Sequence, residues 1–167
     1  MLQGELVAIV GVNGIGKSTL LRTLGKVQPK LSGVIAIDGN PLEKHSALEL
    51  ASKISIVLTE AVTAKSLPVQ ELVALGRQPY PNWIGTLAGS DIKKIESAIN
   101  MVGVADLQNK KCHELSDGQL QKVMIARALA QDTPIMLLDE PTTHLDLYHK
   151  VSLLKLLQHI AHATKKT

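Results

Sequence analysis

The chain has 167 residues, one domain's worth and long enough to bury a sizeable core. Hydrophobic residues make up 45% of it and charged residues 20%, and its net charge of +3 fits a polyphosphate ligand, a membrane surface or an ordinary solvated exterior alike. With no Phe, one Trp and two Tyr, the core has to come from Leu, Ile, Val and Ala. So few rings argue against a single-stranded nucleic-acid binder. The lone Cys112 excludes an internal disulfide and reads as a small apolar filler in a reducing, cytoplasmic setting. No apolar run approaches the roughly 20 residues that a spanning helix needs. The first five residues carry neither the basic stretch nor the cleavage pattern of a signal peptide, so a role at a membrane would require another subunit to hold the chain there.

Along the chain, residues 6–10 form a short apolar run suited to a buried strand. Residues 11–16 form a glycine-rich loop, and 17–25 a helix with Leu20, Leu21 and Leu24 on one side. Residues 33–39 read as a strand running into a turn at Asp38-Gly39, 46–52 as a short helix, and 54–58 as an apolar strand. A helix is predicted over 68–75 with Pro68 near its first turn. Residues 78–83 read as a loop, because their prolines fix the backbone and remove donors. Residues 91–102 are apolar at 92, 95, 99 and 102, a helical spacing, and 115–130 form another helix introduced by Ser116 and Asp117. Residues 134–139 contain Ile-Met-Leu-Leu, a buried strand, and a helix over about 146–161 closes the chain. Strands alternating with helices predict a mainly parallel α/β sheet covered on both faces.

The run from Gly11 to Ser18 fits G-x-x-x-x-G-K-[ST] and lies between a predicted strand and a predicted helix, the context this phosphate loop requires. Its glycines let the backbone wrap a phosphate chain, and the helix start adds a positive dipole end. The candidate nucleotide-binding residues are therefore Gly11, Val12, Asn13, Gly14, Ile15, Gly16, Lys17, Ser18 and Thr19. Lys17 pairs with the β- and γ-phosphates of ATP, and Ser18 is a ligand for Mg²⁺. The strand over 134–139 ends in two carboxylates, which a parallel sheet would turn toward the same crevice. Asp139 is placed to hold Mg²⁺ and Glu140 to activate water as a general base.

Leu115-Ser116-Asp117-Gly118-Gln119 resembles the signature motif of ABC-type ATPases, and Thr142-Thr143-His144-Leu145-Asp146 resembles their D-loop. With the phosphate loop and the acidic strand, the four motifs stand in that family's order across nearly the whole chain. The resemblance implies a P-loop NTPase fold with a helical signature subdomain at about 66–131, and two copies facing head to tail. Each ATP would then lie between one copy's phosphate loop and the other's Ser116, Gly118 and Gln119, with Asp146 beside them. Asp117 replaces the commoner Gly and has to point away from phosphate, a place where it could cap its own helix. Residues 67–80, from Leu67-Pro68 to Gly76-Arg77-Gln78-Pro79-Tyr80, resemble ATPase subunits of importers for iron-siderophore, haem and cobalamin chelates.

That narrower likeness implies transmembrane permease partners, indirectly a substrate-binding protein, no nucleic acid, and a peripheral place on the cytoplasmic face of the membrane. Thr59, followed by Glu60, stands where the family usually has Gln, and is a candidate catalytic and metal-binding residue of shorter reach. The family's adenine-stacking aromatic residue is matched by none of Tyr80, Trp83 or Tyr148, and its switch histidine by none of His144, His149, His159 or His162. The resemblance thus implies a chain shorter than the family's at both ends, with weak nucleotide binding and poor hydrolysis. Two alternatives stay open: a soluble ABC protein acting on nucleic acid or ribosomes, and an inactive nucleotide-binding remnant.

Overall fold

The structure is a computed structural model and describes residues 3–59, 65–80, 86–143 and 145–167. Helix α1 (Lys17–Leu24) springs directly from the glycine-rich loop, with Gly16 at its N-cap in the left-handed conformation, φ 102°. It ends at Gly25, where a β-carbon would stand 2.2 Å from Ile56 Cδ1, so a side chain there would require the Ile56 side chain to move. Strands β1 (Ala36–Ile37) and β2 (Asn40–Pro41) form an antiparallel hairpin. Asp38 and Gly39 between them both have positive φ, 51° and 76°, the backbone of the tight turn that Asp-Gly favours.

Helix α2 (Ala47–Ala51) starts at a reciprocal cap. The Glu49 N–H donates to Ser46 Oγ at 3.2 Å, and the Ser46 N–H donates to Glu49 Oε2 at 2.7 Å. Strand β3 (Ile54–Val57) pairs in parallel with β4 (Ile135–Leu138), Ile54 opposite Ile135 and Val57 opposite Leu138. Between the two strands run α3 (Val69–Ala74), a 3₁₀ turn at Leu75–Arg77, α4 (Gly89–Met101) and α5 (Asp117–Ala130). Helix α6 (Leu147–Thr164) closes the order. The fold is α/β.

The larger core joins Val69, Leu72 and Val73 of α3 to Ile95 and Ile99 of α4, Val123, Ile125 and Ala126 of α5, and Leu153, Leu157 and Ile160 of α6. Each such aliphatic side chain contributes roughly 1.5–3 kcal/mol on full burial. Cys112 is buried in this cluster, and burial pushes its thiol pKa up, as expected for an inert filler. A smaller cluster of Ile37, Leu42, Leu50 and Ile54 packs the hairpin and α2 against β3.

Two strand expectations are corrected. Residues 6–10 make no ladder: Leu6, Val7 and Ile9 are each over 40% exposed and Val10 is 91% exposed. A groove of about 360 Å³ separates residues 5–9 from β4, with Leu21 and Leu24 of α1 and Leu154 and Leu157 of α6 on its walls. An apolar run becomes a strand only when a neighbour lies about 4.8 Å away to take its hydrogen bonds, and here the groove intervenes. β4 is in turn only half-buried, because that side of it faces the groove. At one end of the groove Thr167 donates to Pro134 O at 2.9 Å and accepts from the Met136 N–H at 2.7 Å. Among the described residues no helix is long and apolar enough to cross a membrane.

Candidate functional site

The phosphate loop is an open cradle. Gly14 and Gly16 have φ of 82° and 102°, and a β-carbon on either would meet nothing within 4 Å. Among the described residues the Ile15 N–H is the only loop amide bonded to a loop carbonyl, Val12 O at 3.4 Å, so the neighbouring amides stay available to an anion. Lys17 folds back over the loop, its Nζ donating to Gly11 O at 2.9 Å and Val12 O at 3.1 Å. A fixed ammonium beside unused amides at a helix N-terminus suits a polyphosphate.

The two halves of the site meet through Ser18, whose Oγ donates to Asp139 Oδ1 at 2.7 Å. Asp139 is 3% exposed and directly follows β4, and its N–H donates to Val57 O at 2.9 Å, continuing the parallel ladder by one step. A hydroxyl and a carboxylate in contact are a hard, oxygen-only donor set of the kind Mg²⁺ takes beside a nucleotide. The groove beside β4 reaches Lys17, Asp139, Glu140 and Thr142, so the loop lysine and both carboxylates border one space. Glu140 is exposed and has φ 46°.

Thr143, which the sequence reading left out of the site, holds Glu140 in two ways. Its N–H donates to Glu140 O and its Oγ1 to Glu140 Oε2, both at 3.1 Å. A Thr three residues after a carboxylate is a recognisable local signal for such a turn. Thr59, expected at the metal or the attacking water, donates its Oγ1 to the Asp139 backbone carbonyl at 3.0 Å, on the same residue whose carboxylate Ser18 bonds. Glu60, residues 81–85 with Trp83, and His144 lie outside the described residues.

The signature residues form a second locus. Ser116 caps α5: the Gln119 N–H donates to Ser116 Oγ at 3.3 Å and the Ser116 N–H donates to Gln119 Oε1 at 3.0 Å. The cap role raised for Asp117 therefore belongs to Ser116, with Asp117 exposed at the first helical position. A β-carbon on Gly118 would lie 3.5 Å from Leu145 Cδ2 and 3.6 Å from His149 Cδ2, so the signature turn packs beside the start of α6. Asp146 caps α6, accepting from the His149 N–H at 2.9 Å, and the His149 ring Nδ1 lies 2.7 Å from its other oxygen. The backbone bond and then the ring bond hold the Asp146 carboxyl below the usual carboxylate range. Among the described residues no hydrogen bond joins this locus to the phosphate loop of the same chain.

A glycine cradle running into a helix, joined through a hydroxyl to a carboxylate at the end of a parallel strand, defines a P-loop nucleotide-binding α/β domain. The ABC transporter family model matches residues 1–143, and the chain belongs to that family. It is 40% identical over 157 residues to the ferric enterobactin transport ATP-binding protein FepC of Escherichia coli K12, covering 94% of this chain and 58% of that protein. It is 37% identical over 158 residues to the iron(3+)-hydroxamate import ATP-binding protein FhuC of Bacillus subtilis 168, covering 95% of this chain and 59% of that one. The chain thus spans less than two thirds of the length of these curated relatives. Among solved structures it resembles the ATP-binding cassette MJ0796, seen as a dimer in a post-hydrolysis state bound to ADP and Pi. The TM-score is 0.81 at 32% identity, over 99% of this chain and 73% of that one.

Proposed function

We propose that this chain carries the ATP-binding and ATP-hydrolysing machinery of a membrane importer whose cargo is a metal chelate: an iron-siderophore, haem or cobalamin. The observation that carries the reading is the 2.7 Å bond between Ser18 and Asp139, because it unites the phosphate loop with the acidic strand in one oxygen-donor site. Relatives named for siderophore and hydroxamate import support the cargo class. Mg²⁺·ATP supplies the electrophilic phosphorus, with the metal offsetting charge on the phosphate oxygens. Lys17 and the loop amides hold the β- and γ-phosphates, Ser18 and Asp139 hold the metal, and Glu140 takes a proton from water.

Among the described residues no hydrogen bond joins those around Ser116 to the phosphate loop of their own chain, which supports a head-to-tail pair in which they serve the partner's nucleotide. The dimeric state of the cassette MJ0796 supports a pair. Helices α3 to α5 then make up the signature subdomain, and permease subunits hold the pair at the cytoplasmic face of the membrane and connect it indirectly to a substrate-binding protein. The test is titration of a fluorescent ATP analogue with and without Mg²⁺. Binding that strengthens with Mg²⁺ and weakens at least about tenfold in Lys17→Ala supports the reading. Equal binding by wild type and variant overturns it.

A further inference from the structure

Asp139 is held by its backbone as well as by its carboxylate. Its N–H donates to Val57 O at 2.9 Å, and its carbonyl accepts from Thr59 Oγ1 at 3.0 Å. Both partners come from the end of β3 and the two residues after it, so a single short segment grips Asp139 on either side of its α-carbon. The gripped carbonyl belongs to the peptide that joins Asp139 to Glu140. Glu140 has φ 46°, a conformation that a residue with a side chain keeps only where its surroundings hold it. Thr143 bonds Glu140 from the far side, to its carbonyl and its carboxylate. Ser18 meanwhile takes up Asp139 Oδ1. The labour is divided: Ser18 addresses the side chain of Asp139, Thr59 its backbone, and Thr143 the residue after it.

We propose that Thr59 is a positioning residue, which fixes the plane of the Asp139–Glu140 peptide through its hydroxyl and so aims the Glu140 carboxylate. A side chain one carbon past the backbone with a single hydroxyl proton makes one directed bond, and here that bond goes to a peptide oxygen. The role of Glu140 as general base rests on the proposed function; the bond from Thr59 to the Asp139 carbonyl involves only this chain and is tested separately.

The experiment compares the full chain with Thr59→Val, Thr59→Ala and Thr59→Ser. Amide hydrogen exchange of residues 139–143 is followed in the absence of nucleotide and metal, and Mn²⁺ affinity is then measured in the presence of ATP. Losing one such hydrogen bond is expected to speed local exchange about five- to tenfold in the Val and Ala variants. The Ser variant keeps the wild-type rate, exchange in α4 is unchanged, and Mn²⁺ affinity stays within about twofold. Unchanged exchange at 139–143 in both Val and Ala variants overturns the proposal. So does a Mn²⁺ affinity that falls about tenfold while exchange holds, since that makes Thr59 a ligand. If no variant and no wild-type sample binds ATP, the proposed function fails, and the exchange arm still decides the role of Thr59.

Discussion

Ser18 and Asp139 stand 121 residues apart in the chain and 2.7 Å apart in space. One is the second residue of α1 and the other directly follows β4, so their contact registers the phosphate loop against the sheet. The contact also partners a carboxylate that is 3% exposed, and a buried carboxylate without a donor is costly. Ser18→Ala is expected to lower stability by about 1.5–3 kcal/mol in urea denaturation, and to abolish the strengthening of ATP-analogue binding by Mg²⁺.

The start of α5 depends on one side chain. Ser116 accepts from the Gln119 N–H while Gln119 returns a bond to the Ser116 N–H. Ser116→Ala should cost about 1 kcal/mol in chemical denaturation, whereas Ser116→Asp, also an acceptor, should cost less than half as much.

Asp132 accepts from two lysines, Lys94 Nζ at 2.6 Å and Lys166 Nζ at 3.0 Å. Burial raises its pKa, but the hydrogen bonds and charges of Lys94 and Lys166 outweigh that and leave it below the ordinary 3.8. A lowered folded-state pKa means its contribution is fully present above the ordinary value and is lost as pH falls from there through the folded-state value. The carboxylate is 37% exposed, so solvent screens the pairs and their worth is at most about 1 kcal/mol. Asp132→Asn keeps a residue that tolerates the φ of 58° found here. Its urea midpoint should fall at pH 7 and match wild type near pH 2, which a denaturation series across pH will check.

The turn after α3 is pressed against the end of α5. A β-carbon on Gly76 would stand 2.2 Å from Arg127 O, a backbone atom that cannot step aside. Next to it the Arg77 guanidinium donates to Asp91 Oδ1 at 2.9 Å and Ala130 O at 2.7 Å and stacks 3.8 Å above the Tyr80 ring, while the Tyr80 hydroxyl donates to Gln131 O. Gly76→Ala should destabilise by about 1–3 kcal/mol through overpacking. Arg77→Ala should cost about 3–5 kcal/mol, since it leaves the carboxylate of Asp91, 13% exposed, without its partner. Thermal denaturation of the two variants side by side is the measurement.

Helices and tight turns were legible in the amino-acid order because their bonds close within a few residues. The Ser46–Glu49 and Ser116–Gln119 pairs, the Asp38-Gly39 turn and the glycine cradle before Lys17 all complete themselves over three to six positions. Residues 6–10 show the opposite case. Their apolar character matched a strand, but a strand is defined by a neighbour that local sequence does not name, and in the fold a groove lies where that neighbour would be.

By itself, then, the sequence determined the phosphate loop, the helix that follows it, the Asp38-Gly39 turn and the pair of carboxylates after β4, each a short-range pattern with its own chemistry. Tertiary structure alone decided that Ser18 reaches Asp139, that Thr59 takes up a backbone carbonyl, and that the signature turn sits beside α6. These relationships span scores of residues. They follow from how β3, β4 and the helices between them pack, which no local pattern encodes.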